Sequence, residues 1–301
     1  MAAVVPSRPR RRWFRGGPKP PRPRRRKIRV APIIAGALSA SLVALFVLPL
    51  VALFGDAGLA GLVAAAGNRT FQTTVVYTLF ASAIAVFLGV LTGVPLGYVL
   101  ARYRFRGRAL LESVVLVPVV IPHLVVGLSL LLLLEPNAPL GRYVARAGIP
   151  VLDATAGVVL VMVYVGASYV VLSSETAFRA VDPELIEAAR SLGATPTEAF
   201  LSVTLPSAGR AIVTGALLMW ARGVSEVGGF LVLAYAVYPS FPWPGPVTNT
   251  SSVFIFNYYG IDPSAAIGFA GILVLVSLAI FLGVRLLDRT GLAWSRGGWF
   301  P

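Results

Sequence analysis

Two charged residues sit inside a long apolar run: Arg222 and Glu226, within the stretch from about 211 to 236. Four apart on a helix, they share one face. Ionisable groups in such a segment turn toward a bundle interior or a water-filled cavity. The pair either shapes the bundle as an intrahelical ion pair or serves a pathway or gate in which the guanidinium attracts an anion. The sequence alone leaves both open. Catalytic chemistry has little to work with. There is no cysteine, so disulfides, thiolate metal sites and thiol nucleophiles are excluded. His123 is the single histidine, which argues against a catalytic metal site. The lysines are Lys19 and Lys27, and neither follows a G-x-x-x-x-G, so no phosphate-cradling loop of that type is present. The expectation is no catalytic residue, no metal ligand and no bound cofactor.

The elements that must position Arg222 and Glu226 are membrane spans. The chain is 57% hydrophobic with a mean hydropathy of +0.81, and 13% of its residues are charged, against about 25% in soluble domains. A spanning helix needs about 20 apolar residues. Six segments qualify: 31–54, a stretch within 70–101, a third from Glu112 through Leu134, about 155–174, about 211–236 and 263 to about 287. Open sheets cannot satisfy their backbone in lipid, and barrel strands are shorter with alternating polarity. The fold class expected is therefore all-α, a polytopic membrane bundle of six transmembrane helices. Pro95 in the second span and Pro118 and Pro122 in the third each remove a helix hydrogen bond and invite a kink. Such kinks serve either packing or a pathway.

Arg and Lys placement orients the bundle. With the N-terminus inside, 22 of the 26 basic residues fall on the cytoplasmic side. Twelve of them lie in residues 1–30, four between spans two and three (Arg102, Arg104, Arg106, Arg108), three between spans four and five (Arg179, Arg190, Arg210) and three after span six (Arg285, Arg289, Arg296). The outer loops receive Arg69, Arg142 and Arg146. Both termini are expected in the cytoplasm of a multi-pass plasma-membrane protein. The organisation reads as a basic, disordered tail over 1–30, a transmembrane domain over 31–290 and a short cytoplasmic tail over 291–301. The apolar run after the basic tail is too long for a signal-peptide h-region, so it reads as a retained span. The basic tail suits anionic lipid headgroups. It is rich in Pro and Arg with only Trp13 and Phe14 as aromatics, and it abuts a span, so a nucleic-acid partner is not expected.

The loop over about 176–208 carries two helix starts. Asp182 can cap a helix with Pro183 at its first position, and Glu184 and Glu187 suit its first turns. Gly193 suits the position that ends it. Thr195 and Glu198 then form a capping box, with Pro196 first in the new helix and Pro206 limiting it. Leu185, Ile186, Ala189 and Leu192 make an apolar strip. Structured loop and docking knob both remain open on these grounds.

This segment resembles the EAA loop of ABC importer permeases, Glu-Ala-Ala-x3-Gly-x9-Ile-x-Leu-Pro. Here Glu187-Ala188-Ala189 is followed after three residues by Gly193, and nine residues later by Val203-Thr204-Leu205-Pro206. Val203 for Ile is the departure. The resemblance implies a coupling helix seated in a groove of a separate ATP-binding cassette ATPase, which would carry the ATP and Mg. Glu187, Ala188, Ala189 and Gly193 would dock, and Leu205-Pro206 would fix the return into span five.

The stretch 220–229 is similar to span five of molybdate, tungstate and sulfate permeases, where the pattern runs Arg-Ala-x-x-Glu-Phe-Gly. Arg222, Glu226 and Gly228 match, and Val227 stands for the aromatic. The outer loop over 238–261 is longer than usual for that branch and rich in Pro and aromatics. The resemblance implies a non-catalytic transport subunit importing an oxyanion, with tungstate or molybdate the first choice. Partners implied are an ATPase, an extracytoplasmic binding protein and a second permease copy in a homodimer. Alternatives are a permease for sulfate, phosphate, a polyamine or an amino acid. A secondary transporter would leave the EAA loop unexplained and would usually show internal repeats.

Overall fold

The computed structural model describes residues 30–289; the expected terminal tails lie outside them. All regular elements among the described residues are helical, with two isolated β-bridges. The chain divides into two units, at residues 1–50 and 51–301. In the first, residues 30–50 are the opening part of helix α1 (Val30–Gly67), uncharged and with Pro49 inside the helix. In the second, α1 continues with a break in helical geometry at Gly58.

Helix α2 (Arg69–Arg102) follows at once, capped by Asn68, whose side chain accepts the Phe71 N–H. It is long and apolar enough to cross a membrane, as are 34–67, α6 (Thr155–Ala180), the continuous helical stretch 196–224 and α12 (Pro263–Arg289).

The third expected span departs from a straight helix. It is a pair, α3 (Arg108–Val120) and α4 (His123–Leu134), bent by 116° across Ile121-Pro122. Pro122 pushes Ile121 into extended geometry (φ −72, ψ 144), which ends α3. Pro118 and Pro95 sit within α3 and α2 without ending them. A short helix α5 (Pro139–Arg146) leads toward α6.

The core is the α2–α6–α9 layer, where α9 is Leu205–Val224. Small residues allow the close approach. A Cβ on Gly97 of α2 would meet Val171 O and Ser174 Cβ of α6 at 2.8 Å, and one on Gly215 of α9 would meet Ser173 Cβ at 2.8 Å. Apolar helices gain no hydrophobic driving force over lipid, so packing of this kind holds them together. Trp220 adds a polar tie, donating to Ser82 Oγ at 3.0 Å.

The expected fifth span also departs from prediction. Helix α9 stops at Val224, and a short helix α10 (Gly228–Leu233) resumes after a break at 225–227. Glu226 therefore lies past the helix end, within the break. The region predicted as an outer loop over 238–261 contains helix α11 (Ser251–Tyr259). Its Phe254 packs with Phe71 and Phe269, so part of that loop is core.

Candidate functional site

The coupling-loop residues lie on two short helices, α7 (Pro183–Ser191) and α8 (Pro196–Ala199). Asp182 Oδ1 accepts the Glu184 N–H at 2.9 Å, the cap expected there. Gly193 takes φ +97, with its N–H on Arg190 O at 3.0 Å and the Ala194 N–H on Ala189 O at 3.1 Å. A residue with a Cβ is disfavoured in that left-handed geometry by about 1 kcal/mol. The capping box forms in both directions: Thr195 N–H donates to Glu198 Oε2 at 2.7 Å, and Glu198 N–H to Thr195 Oγ1 at 3.3 Å.

Nothing in α7 is buried. Glu187, Ala188 and Gly193 are exposed and Ala189 is half-buried. The apolar strip divides: Ile186 and Ala189 are half-buried, while Leu185 and Leu192 are 53% and 91% exposed. The projection thus shows an apolar edge to solvent.

Pro206 does not limit the second helix. Instead α8 runs into α9 through a π-helical turn, Phe200–Thr204, where the Leu205 N–H reaches back to Phe200 O. A proline in a regular helix clashes with the carbonyl four residues earlier. Widening the preceding turn by one residue accommodates it. Val203 and Leu205 are half-buried and Pro206 exposed. The base of the projection is aromatic: Phe200 packs on Tyr98 of α2 at 4.9 Å and Phe178 of α6 at 6.1 Å, with Ala208 and Ile212 alongside.

The second group is Arg222, Glu226 and a residue that sequence reasoning set aside, His123. Arg222 Nη1 donates to Glu226 Oε2 at 2.7 Å. His123 Nδ1 lies 3.1 Å from the same oxygen, and His123 Nε2 lies 3.0 Å from Arg222 Nη2. A guanidinium can only donate. Nε2 is therefore the acceptor, and Nδ1 carries the proton given to the carboxylate. The three side chains close a ring. Glu226 is fully buried; its Oε1 accepts the Gly229 N–H at 2.8 Å, and its carbonyl accepts the Ser252 hydroxyl.

Two helix breaks meet here. His123 opens α4 just after the bend, while Arg222 closes α9 and Glu226 sits in the following gap. Glycines bring the backbones together: a Cβ on Gly228 would lie 2.7 Å from His123 Cβ, and one on Gly127 would lie 2.9 Å from Gly229 O. Gly223 packs against Met162, seven residues into α6 and about 10 Å from its start. Gly223, beside Arg222, thus packs inside the long apolar stretch of α6 rather than at its end.

Sequence reasoning also missed a four-residue ionic cluster joining the start of α3 to the end of α6. Arg108 Nε donates to Glu112 Oε1 at 2.9 Å and Arg108 Nη2 to Glu175 Oε1 at 3.4 Å. Arg179 pairs with Glu175 and Glu112. Arg108 and Arg179 had served only as orientation markers. The i, i+4 spacings 108/112 and 175/179 were the available signal.

A polytopic helical bundle with a broken-helix ion ring and an exposed helical projection has the makings of a membrane transport subunit. Residues 93–290 match the family described as binding-protein-dependent transport system inner membrane component, and the chain belongs to that family. It is similar to the molybdate/tungstate transport system permease protein WtpB of Pyrococcus furiosus, at 40% identity over 217 residues, covering 71% of this chain and 77% of the relative. It is 31% identical over 255 residues to the sulfate transport system permease protein CysW of a Synechocystis species, covering 83% and 90%. The fold resembles a chain of a bacterial alginate ABC transporter solved with its alginate-bound periplasmic protein, with a TM-score of 0.66 at 17% identity over 87% of this chain and 95% of that one. This chain is accordingly a multi-pass inner-membrane permease of a binding-protein-dependent system, and a transport subunit.

Proposed function

We propose that this chain forms the translocation pathway of an ABC importer for molybdate or tungstate. The observation that carries the substrate is the 40% identity to a molybdate/tungstate permease. The basic residue Arg222, set in the apolar slab beside a buried carboxylate, supports it. Two copies form the pore, two ATPase chains bind ATP and Mg below it, and a binding protein delivers the anion from outside. The arginine asymmetry supports a cytoplasmic position for both termini and the α7–α8 projection. The twelve basic residues ahead of α1 suit anionic headgroups there.

The projection is the docking element for the ATPase. Glu187, Ala188, Ala189 and Gly193 supply small, exposed surface beside the apolar Leu185 and Leu192. The continuous stretch from α8 through the π turn, with Val203, Leu205 and Pro206, makes a lever into α9, at whose far end Arg222 and Glu226 act as pathway or gate. Movement of the docked α7 passes through the Gly193 turn into the continuous stretch 196–224, which carries Arg222.

A sulfate permease is the second reading, favoured by the CysW match over a larger share of the chain. ATP-dependent uptake of tungstate, molybdate and sulfate into proteoliposomes separates the two. The permease is reconstituted with the ATPase and binding protein from its gene neighbourhood. Tungstate or molybdate uptake that needs all three components is the expected result. Uptake of sulfate alone selects the second reading, and a stable complex that takes up none of the three discards the oxyanion.

A further inference from the structure

The exposed member of the ring is His123. Its side chain is 52% exposed, against 16% for Arg222 and none for Glu226. An imidazole and a guanidinium inside an apolar slab face protein or water rather than lipid. On the pathway reading, the open side of the ring is the side turned to a water-filled path.

We propose that His123 is a stand-in ligand for the transported oxyanion, its Nε2 occupying the Arg222 Nη2 donor until an anion oxygen replaces it. This rests on reading the chain as an oxyanion pathway, and it adds a specificity-determining residue to it. The two ends of the guanidinium are held differently. Nη1 is fixed on Glu226, which is itself fixed by the Gly229 N–H and closed off from solvent. Nη2 is held by a half-exposed neutral ring nitrogen. An anionic oxygen adds the attraction between two full charges to the bond from the guanidinium, which the neutral ring nitrogen cannot supply. The anion thus wins the exchange at Nη2, while Nη1 keeps the arginine in place.

The departure of His123 is inexpensive. It heads α4 directly after the extended Ile121-Pro122 link and gives up one further bond, Nδ1–H to Glu226. Among the described residues no other ion pair engages it. Helix α10 brings no charged group to it, and Glu175 and Arg179 of α6 are engaged with Arg108 and Glu112. The stand-in also limits affinity. A pathway must bind its ion weakly enough to let it leave, and a returning imidazole helps to displace the anion.

The test uses the assembled complex turning over ATP with its binding protein. Diethyl pyrocarbonate acylates free imidazole nitrogen, and His123 is the single histidine of this chain. Mass spectrometry of its peptide then reads the occupancy of Nε2. Saturating tungstate is expected to raise the labelling rate by about 10- to 100-fold, the factor one hydrogen bond to a charged group is worth. His123→Ala is expected to lower the half-saturating tungstate concentration by a similar factor and to slow maximal uptake. His123→Gln, whose amide oxygen can take the same donor, is expected to stay within about twofold of the parent. Labelling that is unchanged or reduced by tungstate while uptake proceeds overturns the stand-in role and leaves the importer intact. Should His123→Ala fail to assemble, the labelling of the parent chain decides alone. Absence of tungstate and molybdate uptake in the parent complex overturns the pathway reading and this inference with it.

Discussion

Replacing Arg222 by Met removes the one guanidinium that, among the described residues, pairs with a carboxylate of no solvent exposure. The remaining partners of Glu226 are the Gly229 N–H at 2.8 Å and the His123 Nδ1–H at 3.1 Å, both on neutral groups. Removing one partner of a buried pair costs about 3–5 kcal/mol, because the other charge is left uncompensated. At about 1.4 kcal/mol per factor of ten, the folded population falls by roughly two to three and a half powers of ten relative to the unfolded. Adding Glu226→Gln removes the stranded charge while keeping the shape and an acceptor for Gly229. The double variant is then expected to recover more than half of the loss. The measurement is thermal melting of the detergent-purified permease–ATPase complex, followed by the surviving monodisperse fraction. The expected order is parent, then double variant, then Arg222→Met. An Arg222→Met complex that melts with the parent, or a double variant that melts below Arg222→Met, would refute the claim that charge compensation of Glu226 is what Arg222 contributes to stability.

Two further outcomes are expected elsewhere in the chain. Gly193→Asp places a Cβ at φ +97 and a charge on the face proposed to dock; it should abolish ATP-driven uptake and ATPase co-purification while membrane insertion is retained, so normal co-purification with normal uptake counts against docking by α7. Gly97→Val forces a Cβ to within 2.8 Å of Val171 O and Ser174 Cβ; it should cost about 1–3 kcal/mol by overpacking, read as a lower melting temperature of the purified complex.

The spans were legible because an apolar run of sufficient length has one stable outcome in lipid. The caps of α7 and α8 were legible because Asp182–Glu184 and Thr195–Glu198 are local contacts within three residues. The breaks were only partly so. Pro122 announced a kink, but not its size: the bend is 116°, and α4 then packs on α10, about 100 residues further along the chain, which no local pattern encodes. Pro206 was misread because its usual effect, ending a helix, was offset by the π turn before it. Glu226 was assigned to a continuous helix because 225–229 carries little beyond two glycines to signal an interruption. His123 lies 99 residues from Arg222 in sequence. Nothing about a lone histidine after a proline names so distant a partner, so the third side of the ring emerged only from the fold.

The π turn at Phe200–Thr204 has a geometric meaning of its own. One residue advances an α-helix by about 100° of rotation and 1.5 Å of rise. The extra residue held in this turn therefore sets the compass bearing of α8, and of α7 beyond it, about the axis of α9. Tightening the turn to a regular α-helix, by deleting one residue there, would swing the projection by more than a quarter revolution while every contact above Ala208 stayed as it is. The angle at which this chain offers its surface to a partner is thus carried by a single residue of chain length, independently of what that surface is made of.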